Sequence, residues 1–182
     1  MSNTALLVVD AQESFRHRPY WTDADVPDFT AKLQKLIDGC AAREILILQV
    51  FHVESEGAFS LKSGWVTTFE PIRIKPDAVF HKHYHSALVG SSLGPWLTEH
   101  GIRRLIVSGI RTEECCETTT RHASDSGFAV DFVSEATLTF PIKHARTGST
   151  YGAAEIKERT EAVLLNGGFA SISSVEELLR EL

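Results

Sequence analysis

The stretch Leu105-Ile106-Val107-Ser108-Gly109-Ile110-Arg111-Thr112-Glu113-Glu114-Cys115-Cys116-Glu117-Thr118-Thr119 is the most informative in the chain. Its opening apolar run has the length and composition of a buried strand, and the pattern from there to about Gly127 is helical. A cysteine at such a strand-to-helix turn meets unpaired backbone N–H groups and the positive end of the helix dipole. That setting is expected to lower the thiol pKa and make thiolate available at neutral pH. The same N–H groups can hold a developing oxyanion.

Working outward, apolar runs alternate with helical patterns, the signature of an α/β fold with a parallel sheet. Strands are expected at residues 5–9, 44–51, 78–80, 104–107, 129–133 and 169–172. Helices are expected at 28–43, 92–100, from the cysteine turn to about 127, at 153–165 and at 175–182. Ser173 or Ser174 suits the N-cap of the last helix, with Glu176 and Glu177 in its first turn. Two long stretches, 52–76 and 137–149, read as irregular. In an open parallel sheet, ligands bind outside the carboxyl ends of the strands. Asp10 ends the first strand and Lys82 closely follows Ala78-Val79, so both can converge with Cys115 in one cleft.

These three residues and their surroundings resemble the isochorismatase-like cysteine hydrolases, the superfamily of nicotinamidase and N-carbamoylsarcosine amidohydrolase. The matching pieces are Val8-Val9-Asp10-Ala11-Gln12-Glu13-Ser14-Phe15, Lys82 with Ser86-Ala87-Leu88 and Leu93, and Gly109-x-x-Thr112-x-x-Cys115-x-x-x-Thr119. The resemblance implies a three-layer α/β/α Rossmann-like fold with a mainly parallel sheet of about six strands, one domain over residues 1–182. It also implies an Asp10-Lys82-Cys115 triad that hydrolyses a C–N bond of a small amide, ureido or related compound. In the family, the peptide joining the positions of Ile110 and Arg111 resembles a cis bond, which makes the Arg111 and Cys115 N–H groups the expected oxyanion hole. Family members are commonly oligomeric, so a homo-oligomer is expected.

Cys116 competes with Cys115, but neighbours on a helix do not share a face. The family spacing selects Cys115 and leaves Cys116 to packing. Gln12, Phe15, Trp65 and Tyr84 are candidate pocket walls, with plain packing as the competing reading. The Arg111 side chain is a candidate reader of an anionic substrate. Lys143, His144 and Arg146 form a basic cluster, either substrate-facing or a solvated face. Alternate histidines on an extended segment face one side, so His81, His83 and His85 invite a zinc reading. Nicotinamidase-type members carry an Asp-x-His pair after the second strand. Here that place holds His52-Val53-Glu54. No metal and no cofactor are therefore expected.

The chain has 182 residues, suited to one well-packed domain. A net charge of −6 gives a nucleic-acid partner no electrostatic footprint. No apolar stretch approaches the ~20 residues of a membrane span. The start, Met1-Ser2-Asn3-Thr4, is read as leaving no room for a signal peptide. Cys40, Cys115 and Cys116 do not suggest a disulfide framework, so a reducing, cytoplasmic setting and a small-molecule partner are expected. Two alternatives remain open: isochorismatase-type vinyl-ether hydrolysis, and a catalytically silent flavodoxin-like binding domain.

Overall fold

The computed structural model describes residues 3–182; Met1 and Ser2, part of the stretch read for a signal peptide, lie outside the described residues. Six strands form one parallel sheet in the order β3-β2-β1-β4-β5-β8. They are β1 Thr4–Val9, β2 Leu46–His52, β3 Ala78–Lys82, β4 Arg104–Ile110, β5 Ala129–Leu138 and β8 Ser171–Ile172. The helices are α1 Val26–Ala41, α2 Leu93–Glu99, α3 Glu117–Asp125, α4 Ala153–Asn166 and α5 Val175–Glu181.

The period-two alternation of β1 explains the layers. Leu6 and Val8 pack with Phe29, Leu33, Leu36 and Ile37 of α1 and Val175 and Leu178 of α5. Ala5, Leu7 and Val9 face the other way, against Leu93 and Leu97 of α2, Ala123 of α3 and Leu164 of α4. The sheet is covered on both faces, which is why its strands read as continuous apolar runs.

The boundaries depart from the sequence expectation in places with local causes. Helix α1 starts at Val26, with Pro27 in its first turn, where a missing N–H costs nothing. Strand β4 continues to Ile110, past the Ser108-Gly109 pair that resembles a turn. Ser108 donates its hydroxyl to the Leu7 carbonyl at 3.2 Å. Strand β5 runs to Leu138 because the ladder with β4 resumes after an irregularity between Val107 and Gly109. The second irregular stretch is partly ordered, with β6 (Ile142–Lys143) and β7 (Thr150–Tyr151) pairing antiparallel. At α5, Ser174 is the N-cap, accepting from the Glu177 N–H while the Glu177 side chain reaches back. Among the described residues no helix is long and apolar enough to cross a membrane.

The chain runs outward from β1 to β2 and β3, then returns to place β4 on the other side of β1. That reversal opens a crevice at the carboxyl ends of β1 and β4. Gly109 lets the two strand ends approach. Its φ is +123°, and a Cβ there would sit 1.8 Å from the Val9 carbonyl oxygen. Gly109→Ala is therefore expected to cost more than about 4 kcal/mol, beyond the ordinary range for a point substitution. Gly101→Ala, at φ +66° with open space around the Cβ, should cost only the ~1–2 kcal/mol of a left-handed residue. Urea melts of both variants check the contrast, and equal losses would refute the close-approach explanation.

Candidate active site

Four strand ends deliver the site. Asp10 follows β1 with φ +50°, a left-handed conformation that Asp tolerates better than most residues. Its N–H is held by the Val50 carbonyl at 2.8 Å. His52 and Lys82 end β2 and β3 and are register partners. Beyond β4, the Ile110–Arg111 peptide is cis, and residues Thr112–Cys116 form a π-helical turn that leads into α3.

The motif threonines tie these pieces together. Thr112 shares a 2.6 Å hydroxyl contact with Thr137 on β5. Thr119 accepts the Ala87 N–H at 3.0 Å, and the Ser86 hydroxyl lies 2.9 Å from His122 Nδ1. The loop after Lys82 is thereby pinned to the helix after Cys115, which fixes lysine and cysteine relative to each other.

Lys82 Nζ is the centre of the arrangement. It lies 2.7 Å from Asp10 Oδ2, with both side chains fully buried. It donates toward His52 Nδ1 at 3.1 Å, the Tyr84 carbonyl at 3.1 Å and Cys115 Sγ at 3.3 Å. Cys116 is fully buried among the apolar residues on the α2 and α3 side of the sheet.

Burial pushes Asp10 above its usual carboxylate range, with Lys82 pulling the other way. For Lys82, burial alone would lower the pKa. The charges of Asp10 and Cys115 and their hydrogen bonds outweigh it and leave the ammonium above its ordinary value. Burial, then the Asp10 charge, push the Cys115 thiol well up, more than Lys82 draws it down. This corrects the expectation of a depressed thiol pKa: burial and the Asp10 charge outweigh the pull of Lys82. Burial and Lys82 together lower His52 to about 4, so its imidazole is neutral.

Cys115 and Asp10 open onto a cavity of about 140 Å³. Phe15 and Phe59 give it an aromatic side, in edge contact at 4.9 Å. The polar side comes from Arg18, Tyr20, His52, Glu54, His85 and Glu114. Arg18 is paired with Glu54 at 2.7 Å and lies over the Phe59 ring. A larger groove of about 820 Å³ lies between Ile142 and Tyr151 of the hairpin and α4. It contains no cysteine and none of the three clustered residues, so the smaller cavity is the candidate site.

Of the wall residues expected from sequence, Phe15 lines this cavity and the others do not. Gln12 is fully buried and clamps His52, taking its N–H at 2.8 Å and donating to its carbonyl at 3.1 Å. Trp65 is 42% exposed and stacks on His17. Tyr84 is 60% exposed and offers Lys82 only its carbonyl. The Arg111 guanidinium pairs with Glu113 at 2.6 Å and Glu114 at 2.9 Å and lies over the Tyr20 ring, 4.7 Å from its centroid. Lys143 is exposed on the hairpin, and His144 and Arg146 lie in the adjoining turn. Arg18, Tyr20, Phe59 and Glu114 carried no motif in the sequence.

The histidines do not converge. His81 neighbours the Phe51 ring, His83 Nδ1 lies 2.8 Å from the Val53 carbonyl, and His85 Nδ1 is 3.9 Å from Cys115 Sγ. Among the described residues no group of three or more His, Cys, Asp or Glu side chains is gathered as a metal site.

The model of the isochorismatase domain family matches residues 4–161. An isochorismatase family protein of Bacillus subtilis, YrdC, is 23% identical over 180 residues, 97% of this chain and 95% of that protein. Nicotinamidase 3 of Arabidopsis thaliana is 35% identical over 109 residues, 59% of this chain and 48% of that enzyme. The crystal structure of a cysteine hydrolase from Pseudomonas syringae pv. phaseolicola superposes with a TM-score of 0.87 at 20% identity, covering 99% of this chain and 93% of that one.

The lowered His52 pKa has a consequence for stability. Its ordinary value is 6.5 and its folded value about 4, so between these the unfolded chain binds more protons at His52 than the folded one. Its contribution is then full above pH 6.5 and lost as pH falls toward 4. The melting-temperature difference between wild type and His52→Asn should therefore shift against the wild type on going from pH 7 to 4.5. A pH-independent difference would show that His52 is not held neutral.

Proposed function

The chain belongs to the isochorismatase family, and on that premise we propose that it is a cysteine hydrolase acting on a C–N bond of a small amide, ureido or related compound. The observation that carries this reading is one buried ammonium, Lys82, held 2.7 Å from a carboxylate and 3.3 Å from a cysteine sulfur. That sulfur lines a cavity. The catalytic domain is taken to be the whole chain, residues 1–182.

Asp10 takes the Cys115 proton, and Lys82 steadies the thiolate through its charge. The thiolate attacks the substrate carbonyl. The oxyanion is received by the backbone N–H groups of Arg111 and Cys115, each donor worth about 3–4 kcal/mol. Asp10 returns the proton to the leaving nitrogen as the C–N bond breaks, leaving a thioester on Cys115. Asp10 then draws a proton from water, which attacks the thioester and frees the acid. The cavity of about 140 Å³ favours a substrate of few heavy atoms. Vinyl-ether hydrolysis has no use for a nucleophilic sulfur in contact with a lysine, which ranks it second. The homo-oligomer carried over from the family resemblance belongs to this proposal, and light scattering on the purified chain reads it.

Cys115→Ala should abolish ammonia or amine release across an amide and ureide panel, while Cys116→Ala keeps most of it. A dead Cys116→Ala with its fold intact, beside an active Cys115→Ala, would reverse the assignment. Activity is also expected to survive exhaustive EDTA dialysis, because His52-Val53-Glu54 stands in place of an Asp-x-His pair and His52 Nδ1 already faces the Lys82 ammonium. Loss on chelation with restoration by zinc would overturn that expectation.

A further inference from the structure

We propose that the groove between the β6–β7 hairpin and α4 is a self-docking surface, on which a second copy of this chain seats its basic 143–146 turn while receiving the same contact in return. The inference rests on the homo-oligomeric reading above and extends it by naming the face and the charges that join the copies.

The groove, about 820 Å³ in volume, has an apolar floor and a charged rim. Ile142, Tyr151, Ile156 and Ala162 line the floor, and Glu113, Glu155, Glu158 and Arg159 stand around it. Glu155, Glu158, Arg159 and Ala162 follow the spacing that puts residues on one face of a helix. All four are exposed, and Tyr151 is 46% exposed. An open apolar floor rimmed by polar residues is the anatomy of an interaction surface.

Charge selects the occupant. Arg159 is paired with the buried Glu117, and Glu113 with Arg111. Glu155 accepts the Gly152 N–H at 2.7 Å and keeps its charge. Glu158 has no ion-pair partner among the described residues. The free charge of the rim is therefore negative, and a basic segment fits it. The chain carries a net charge of −6, yet gathers Lys143, His144 and Arg146 on the hairpin beside this groove. None of the three lines the cavity at Cys115. Lys143 and Arg146 have no ion-pair partner among the described residues, so the acids of their own chain do not neutralise them.

The turn is formed in advance. The His144 N–H donates to the Ser149 carbonyl at 2.8 Å, and the Gly148 N–H to the His144 carbonyl at 2.9 Å. His144 Nδ1 accepts the Arg146 and Thr147 N–H groups at 3.2 and 3.3 Å. A turn already ordered loses little freedom on docking. The hairpin register sets Ile142 opposite Tyr151, so the groove floor lies at the hairpin base and the basic residues lie toward its tip. Turn and groove are thus side by side on one face. A twofold axis beside the hairpin pairs both at once, each turn meeting the other copy's rim, and such an isologous contact closes at two copies.

The test is the molar mass of the full chain by light scattering and its dissociation by sedimentation, at low and high salt. Wild type should form a dimer or a multiple of one, and salt should weaken the contact. Lys143→Glu with Arg146→Glu, and separately Glu155→Lys with Glu158→Lys, should each raise the dissociation constant by roughly tenfold, because symmetry counts every exposed pair twice. The two variants mixed should associate about as tightly as wild type, since each turn then meets a rim of opposite sign. Ala162→Trp fills the floor with every charge and the Glu155 cap in place. It should weaken association likewise and serves where the rim variant fails to fold. A wild-type chain that stays monomeric would leave the groove to a foreign partner and overturn the oligomer and this surface together. A wild-type oligomer that neither the charge variants nor Ala162→Trp weaken would overturn the surface alone. Charge variants that weaken association without recovery on mixing would do the same.

Discussion

Two opposite charges, Asp10 and Lys82, stand 2.7 Å apart with no exposure to solvent, and the surrounding architecture is arranged around tolerating them. Removing an ion from water costs several kcal/mol even after relaxation, and a buried pair recovers this only with good geometry and further polar partners. Lys82 has those partners, namely an imidazole nitrogen, a carbonyl and a sulfur. Asp10 has the lysine itself as its close side-chain partner. Burial nonetheless leaves the carboxylate protonating more readily than a solvated aspartate, with Lys82 pulling the other way. Such a group is a poor source of stability and a good acceptor of a proton, the compromise expected where activity opposes stability.

Holding that pair depends on the backbone more than on side-chain packing. The positive φ of Asp10 turns its carboxylate toward the crevice at the point where β1 ends. Gly109 permits β4 to pass within contact of Val9. The strand end that leads to Cys115 is thus brought against the strand end that carries Asp10. A side chain at Gly109 would collide with backbone, and a collision with backbone cannot be relieved by a rotamer change. The glycine of the Gly109-x-x-Thr112-x-x-Cys115 run sets the distance between sulfur and carboxylate, and Thr112 anchors the turn between them.

This division explains what could be read from the chain. The strands were legible because burial on both faces of the sheet makes them apolar throughout. Asp10, Lys82 and Cys115, which the family motifs single out, stand at or just beyond the ends of such strands, and the structure brings them together. The cavity wall was not. Gln12 follows Asp10 by two residues, yet turns inward to clamp His52 rather than into the cleft. Arg111 shortly precedes Cys115, yet its terminal nitrogens turn to Glu113 and Glu114. The histidine series His81, His83, His85 suggested one face, but β3 ends at Lys82 and the period is broken beyond it. Arg18, Tyr20 and Phe59 come from irregular segments, where side-chain direction follows from tertiary contacts that no local periodicity encodes. The thiol pKa failed for a related reason: a helix terminus is visible in sequence, whereas desolvation is a property of the assembled site.

The raised proton affinities of Asp10 and Cys115 are not obstacles to the proposed chemistry. Ionising either group toward bulk solvent creates or exposes a charge in a water-poor site, and burial penalises that step for both. Passing the proton from sulfur to carboxylate does neither. Before transfer the trio holds one carboxylate, one ammonium and a neutral thiol; afterwards it holds a neutral acid, the same ammonium and a thiolate. Net charge is unchanged, and the negative charge moves only from one neighbour of Lys82 Nζ to another. Burial acts on both ends of the transfer in the same sense, so its effect largely cancels between them. Lys82 Nζ touches both ends of the transfer, 2.7 Å from the carboxylate and 3.3 Å from the sulfur. The lysine therefore offsets the negative charge on either side of the transfer.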